Sequence, residues 1–152
     1  MKSEIKWTFS SYHDLSKAQL FDILEVRQEV FVVEQNCPYQ DCDAKDKKST
    51  HLMGYEKDVL VAYLRIVIPE ISYNEPSIGR VLTKQMVRKK GYGIDLMKRA
   101  ISFCSSTYPK KNIRISAQKY LLPFYRSLGF QELGDVYLED GIPHMEMLYT
   151  SK

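Results

Sequence analysis

No stretch of this 152-residue sequence approaches the roughly 18 consecutive apolar residues that a membrane-spanning helix needs. The opening MKSEIKWTFSSYHD has no apolar run of the kind a secretory signal carries. Cysteine is scarce: Cys37, Cys42 and Cys104 form an odd set without an extracellular spacing pattern, so a disulfide framework is excluded and a reduced, cytoplasmic chain is expected. A large charge of one sign is also missing. A net +3 is too small for a nucleic-acid-binding face, and neither nucleic acid nor membrane is an expected partner. Without a Gly, Ser or Pro tract to act as a linker, and without a repeat, the chain reads as one domain over residues 1–152. A domain of this length buries roughly 70% of the surface its unfolded chain exposes.

What is present is a regular alternation of element signals. Residues 6–12 read as a first strand, and Leu20, Ile23, Leu24, Arg27 and Phe31 then follow at helical spacing, with Ser16 placed as an N-cap. Residues 35–49 form a polar, acidic loop, long enough to suggest a role over a site. Two strands at 51–56 and 60–68 make a hairpin, and IGRVLT adds a third. A helix from Gly91 to about residue 105 places Ile94, Met97, Ile101 and Cys104 on one face. NIRISAQ, a short helix ended by Gly129, and two strands around Asp140-Gly141 complete the chain. The order β α β β β α β α β β predicts an α/β (α+β) fold, with a mixed, partly antiparallel sheet of six to seven strands flanked by helices.

Charge is organised locally. Lys84, Arg88, Lys89 and Lys90 cluster ahead of a Gly-x-Gly step that opens the second long helix, whereas Asp41, Asp43 and Asp46 lie in the loop. The first amides of a helix lack intrahelical acceptors and carry the positive end of its dipole, so a pyrophosphate suits such a junction. The same pattern also serves as a charged turn on a surface helix. It is no Walker loop, lacking GxxxxGK[ST], and no Rossmann fingerprint, because Leu96 stands where a third Gly belongs.

RKKGYG resembles the RxxGxG/A pyrophosphate loop of the GNAT superfamily of acyl-CoA N-acyltransferases, and QKYLLPFYRSLGF resembles that family's downstream xYxxLGF motif. The likeness covers nearly the whole chain and points to an ElaA-like subfamily through RQEVFVVEQNCPYQDCDAKD, STHLMGY, IGRVLT and EDGIPHMEM. Two positions depart from the pattern: Lys89 stands where many relatives have glycine, and Gln118 where many have asparagine. The resemblance implies a GNAT fold and acetyl-CoA as cosubstrate, with no metal. Its pantetheine would lie along Val81, Leu82 and Thr83, and its pyrophosphate on Arg88, Lys89, Lys90, Gly91, Tyr92 and Gly93, with Gln118 nearby. A main-chain donor near Leu82 would stabilise the oxyanion. Tyr125 would protonate the departing CoA thiolate.

The acceptor implied is a primary amine, which must lose a proton before it attacks; a lysine-like amine has an ordinary pKa of about 10.4. Glu34, His51 and His144 are the candidate bases. Each also has a plain structural reading: a helix terminus, a strand histidine bonded to its sheet, and a hairpin end after Pro143. The acidic stretch raises the expectation of a cationic acceptor, and its cysteines and aspartates fit no standard zinc set. The sequence leaves open whether the chain acts alone or as a homodimer. Two rivals to the enzyme are an acyl-CoA-binding module with little turnover and a small nucleic-acid-binding domain using residues 84–90.

Overall fold

The computed structural model describes residues 4–151. The elements follow the predicted order: β1 (Ile5–Ser11), α1 (Lys17–Arg27), β2 (Ser49–Glu56), β3 (Val59–Val67), β4 (Ser77–Thr83), α2 (Tyr92–Thr107), β5 (Ile113–Gln118), α3 (Leu122–Ser127), β6 (Gln131–Glu139) and β7 (Ile142–Tyr149). Ser16 caps α1 through a reciprocal pair: Gln19 N–H donates to Ser16 Oγ at 3.0 Å, and Ser16 N–H to Gln19 Oε1 at 2.9 Å. Helix α1 then widens into a π-helical segment, Gln28–Glu34, and Ala44–Lys48 forms a short 3-10 turn inside the predicted loop.

The strands form two sheets rather than one. β1-β2-β3-β4 is antiparallel throughout, and β5-β7-β6 is a separate three-stranded sheet. β3 lies inside the larger sheet, and every residue after Val59 in it is buried, so its pattern is continuously apolar rather than alternating. Its two faces serve two cores. Tyr63 joins Ile23, Val26, Val30 and Phe31 of the first helix, whereas Ala62, Leu64 and Ile66 pack with α2. The buried face of α2 is Leu96, Met97, Ala100 and Cys104. Met97 and Cys104 are as expected, but Ile94 stays 43% exposed, because Leu96 and Ala100 turn the contact stripe toward the sheet.

The two sheets meet along β4 and β5. Arg114 N–H at the start of β5 donates to Pro76 O, just before β4, at 3.1 Å, and no ladder continues beyond that bond. Arg114 also reinforces this end through its side chain, bridging Glu75 and Glu146. The strands therefore start together and separate toward their C-terminal ends, leaving a wedge.

Candidate active site

The wedge holds a cavity of about 250 Å³. Gly79, Arg80 and Val81 of β4 face Ser116 and Gln118 of β5, while Tyr125, His144 and the β6–β7 hairpin close one side and Phe31 and Gln35 another. The β4 wall is irregular by construction. Tyr63 pairs with Leu82 but Arg65 pairs with Gly79, so Arg80 and Val81 together oppose one residue of β3, and Arg80 takes φ +52°. After the bulge, Lys84 N–H donates to Val61 O at 2.8 Å. Strand alternation then turns the main chain of Leu82 toward β3 and that of Thr83 toward the gap. This corrects the expectation for Leu82: its backbone belongs to the β3–β4 ladder, and its side chain is buried against α1.

Tyr125 reaches the cavity from α3. Pro123 starts that helix, Gly129 at φ +105° ends it, and Phe130 N–H donates to Tyr125 O at 3.1 Å. Phe124 and Phe130 meet the Tyr125 ring edge-on at 5.2 and 6.0 Å. Burial, with a smaller contribution from Tyr120, pushes the phenol well above the ordinary tyrosine range. The hydroxyl, like any phenol at neutral pH, is protonated and able to donate.

His144 lines the same cavity and stands opposite Gln118 in the β5–β7 register. Its Nδ1 lies 2.7 Å from the carbonyl of Ile142, which can only accept, so Nδ1 carries a proton and in the neutral ring Nε2 keeps the lone pair. Glu139 Oε2 is 3.5 Å from Nε2, and the Tyr137 ring stacks on the imidazole at 6.2 Å. Glu139 escaped the sequence reading because a glutamate before a hairpin turn carries no local signal. Only the pairing of Glu139 with Ile142 brings it to the histidine.

The other two base candidates lie elsewhere. His51 is 1% exposed and does not line the cavity. Its Nε2 donates to the Asp46 carbonyl at 2.9 Å, and its Nδ1 accepts from Tyr63 O–H at 2.6 Å. Burial also depresses its pKa, so His51 is a core residue with both ring nitrogens engaged. Glu34 ends the π-helical segment and grips Arg88 with both oxygens, at 2.5 and 2.9 Å. Its carboxylate faces the loop before α2, not the cavity.

That loop stands apart from the cavity, beyond the C-terminal end of β4. Arg88 gives two further hydrogen bonds to Thr83 O, at 3.1 and 3.0 Å, so four of its five N–H donors are in use. Lys89 and Gly91 adopt φ +67° and +84°, and no side chain caps the sixteen-residue α2. The first helical bond is Asp95 N–H to Gly91 O at 3.2 Å, which leaves the Gly93 and Ile94 amides ahead of the ladder. A Cβ on Gly93 would reach Phe124 only at 3.8 Å, an ordinary contact. The buried ring of Tyr92 anchors the turn beside Val61 and Val87. A left-handed glycine and an uncapped helix start, flanked by Lys89 and Lys90, fit a diphosphate held by main-chain amides.

The acidic stretch is the largest departure from expectation. Asp41 and Asp46 are buried, and Arg27, at 0% exposed, donates to Asp41 at 2.8 Å and to Asp46 at 2.6 Å. Arg65 bridges Asp43 and Asp46 at 2.6 and 2.9 Å, and Arg80 Nε lies 2.8 Å from Asp41. Burial would raise the Asp46 pKa, but the hydrogen bond and charge of Arg27, then of Arg65, outweigh it and hold it down at about 2. These aspartates are neutralised from within, so they give no basis for attracting a cationic acceptor. Cys37 lines the cavity, Cys42 is exposed and Cys104 is buried, all as free thiols. Among the described residues, no helix is long and apolar enough to cross a membrane.

Comparisons with known proteins agree with this geometry. A family profile described as an acetyltransferase (GNAT) domain matches residues 13–151. Protein ElaA of Escherichia coli is 41% identical over 145 residues, covering 94% of this chain and 95% of that protein. The crystal structure of E. coli ElaA superposes with a TM-score of 0.90 at 39% identity, covering 96% of this chain and 99% of that one. An acyl-CoA N-acyltransferase from Pseudomonas aeruginosa superposes with a TM-score of 0.93 at 38% identity, covering 97% and 100%.

Proposed function

Because the chain belongs to the GNAT acetyltransferase family and has an ElaA-like fold, we propose that it transfers an acetyl group from acetyl-CoA to a primary amine by direct attack. Acetyl-CoA supplies the thioester. The observation that carries the reading is the meeting of Tyr125 and His144 in one cavity beside the β4 bulge. The two side chains are complementary: a buried phenol that can donate its proton, and an imidazole whose Nε2 accepts in the neutral ring.

The residues divide the work as follows. The gap-facing main chain of Val81 and Thr83 aligns the pantetheine arm, and the Val81 amide at the bulge takes the oxyanion role first expected near Leu82. Main-chain amides from Lys89 to Gly93 hold the diphosphate. Lys89 and Lys90 assist as exposed cations, and Arg88 does so only by giving up Glu34. Gln118 orders the cavity floor through its amide contact with Gln35 at 3.5 Å. His144 Nε2 accepts a proton from the incoming ammonium, directly or through water, and Glu139 stabilises the imidazolium that forms. The amine nitrogen then forms the new N–C bond as the C–S bond breaks, and the Tyr125 hydroxyl proton goes to sulfur. The second N–H proton leaves the new amide for the tyrosinate, directly or through water.

Two measurements test this. Calorimetry should show saturable acetyl-CoA binding by the wild type and none by Gly91→Trp, which combines bulk with a left-handed backbone; no binding by the wild type would sink the reading. In a thiol-release assay with an amine panel, Tyr125→Phe should lower turnover by about 10²-fold or more with acetyl-CoA affinity unchanged. An unaltered rate would remove Tyr125 as the acid and favour a binding module.

A further inference from the structure

Acid and base account for one side of the cavity; the other side is built of guanidinium. Arg65 and Arg80 both line it, and Arg65 is 4% exposed. Their carboxylate partners Asp41, Asp43 and Asp46 do not line it. With Arg27 the set holds three cations and three anions, and Lys45, which does line the cavity, adds one further positive charge. Behind the surface of this wall, the Nε atoms of Arg65 and Arg80 are buried without a hydrogen-bond acceptor among the described residues. Arg80 Nε is close to Asp41, yet off the direction its N–H requires. Neither Nε has accessible surface, so what this wall offers a ligand is the 20% exposed Arg80 side chain together with Lys45. The opposite wall carries Glu139, Asp140 and the lone pair of His144. The cavity is thus polarised, cationic at the Lys45–Arg65–Arg80 wall and acceptor-rich at the hairpin.

We propose that the acceptor is a small zwitterion, a free amino acid or close analogue, bound with its carboxylate toward Arg80 and Lys45 and its amino group toward His144 and Glu139. This rests on the acetyl-transfer reading and names its substrate class. Guanidinium suits a carboxylate because its donors match two oxygens at once. The 250 Å³ volume lies below the range of drug-sized sites and suits a molecule of amino-acid size. The assignment reverses the expectation of a cationic acceptor: the acidic stretch presents its arginines, not its carboxylates, to the site.

The test compares each of a set of amino acids with its carboxamide and its decarboxylated amine in the thiol-release assay. The free acid should exceed the carboxamide in kcat/KM by about ten- to a hundred-fold, the range for losing a charge-assisted hydrogen bond. Arg80→Gln should erase most of that advantage while calorimetric affinity for acetyl-CoA holds. Lys45→Ala, a surface change outside the buried network, should reduce it several-fold and guards against a misfolded Arg80 variant. Carboxamides or simple amines used as well as the acids overturn this inference and leave acetyl transfer standing, whereas absent acetyl-CoA binding removes acetyl transfer itself. Should acetyl-CoA bind without turnover of any amine, calorimetric titration of the CoA complex with the same compounds decides, and equal affinity for acid and carboxamide overturns the proposal.

Discussion

Two charged regions that look alike in composition behave as opposites in the fold. Around Arg27, Arg65 and Arg80, guanidinium groups and aspartates are buried or half-buried and locked to one another beside the cavity. Around residues 84–93, Lys89 and Lys90 are exposed and positive φ values at Lys89 and Gly91 shape the backbone. Burial makes the difference. Taking a charge out of water costs several kcal/mol unless a partner is fixed beside it, so the first region must be geometrically exact to exist at all. The second tolerates loose side chains because its charges stay in water and its shape is set by the backbone. The first region accordingly fixes its side chains, and the second only its backbone.

The sharpest contrast should come from removing one cation on each side. Arg27→Ala leaves three aspartates to share the two guanidiniums of Arg65 and Arg80 and should destabilise the fold by about 3–5 kcal/mol. Lys90→Ala should stay within about 0.5 kcal/mol. Equal midpoints in urea unfolding would erase the distinction. Acid gives the next effect. Asp46 titrates at about 2 in the folded chain against 3.8 as its reference value, so its contribution is present above pH 4 and disappears as the pH falls toward 2. That loss amounts to roughly 2 kcal/mol, and unfolding followed between pH 5 and 2 should show it in the wild type but not in Asp46→Asn. The smallest effect belongs to the loop. Lys89 sits at φ +67°, where a side chain is strained and glycine is not, so Lys89→Gly should raise stability by at most about 1 kcal/mol. A marked loss of stability would mean that the Lys89 side chain, not its backbone, sets the turn.

Local chemistry made much of the fold legible. Ser16 announces its capping box, and Asp140 and Gly141 announce a hairpin that they complete at φ +52° and +77°. Gly91 marks the helix start, and RKKGYG with FYRSLGF marks the family. Long-range pairing was hidden. Arg27 reads as one polar residue on a helix and Arg65 as one in an apolar strand, and nothing nearby tells that both meet Asp46. His51 was a reasonable candidate by residue type, yet its role follows from Tyr63 and the Asp46 carbonyl, which reach it only through tertiary packing. The split of the sheet was equally silent, because unzipping between β4 and β5 depends on what those strands lack from each other.

The single main-chain bond from Arg114 to Pro76 gives that unzipping a mechanical meaning. The molecule is a pair of tongs, riveted at the Arg114 end and sprung at the other, with one edge of β4 left as an unfinished ladder. A ligand whose amides lie along that edge acts as an eighth strand made of something other than polypeptide. Hydrogen exchange at the gap-facing Thr83 amide, set against the ladder-bound Leu82, then becomes a gauge of whether the tongs are closed on anything.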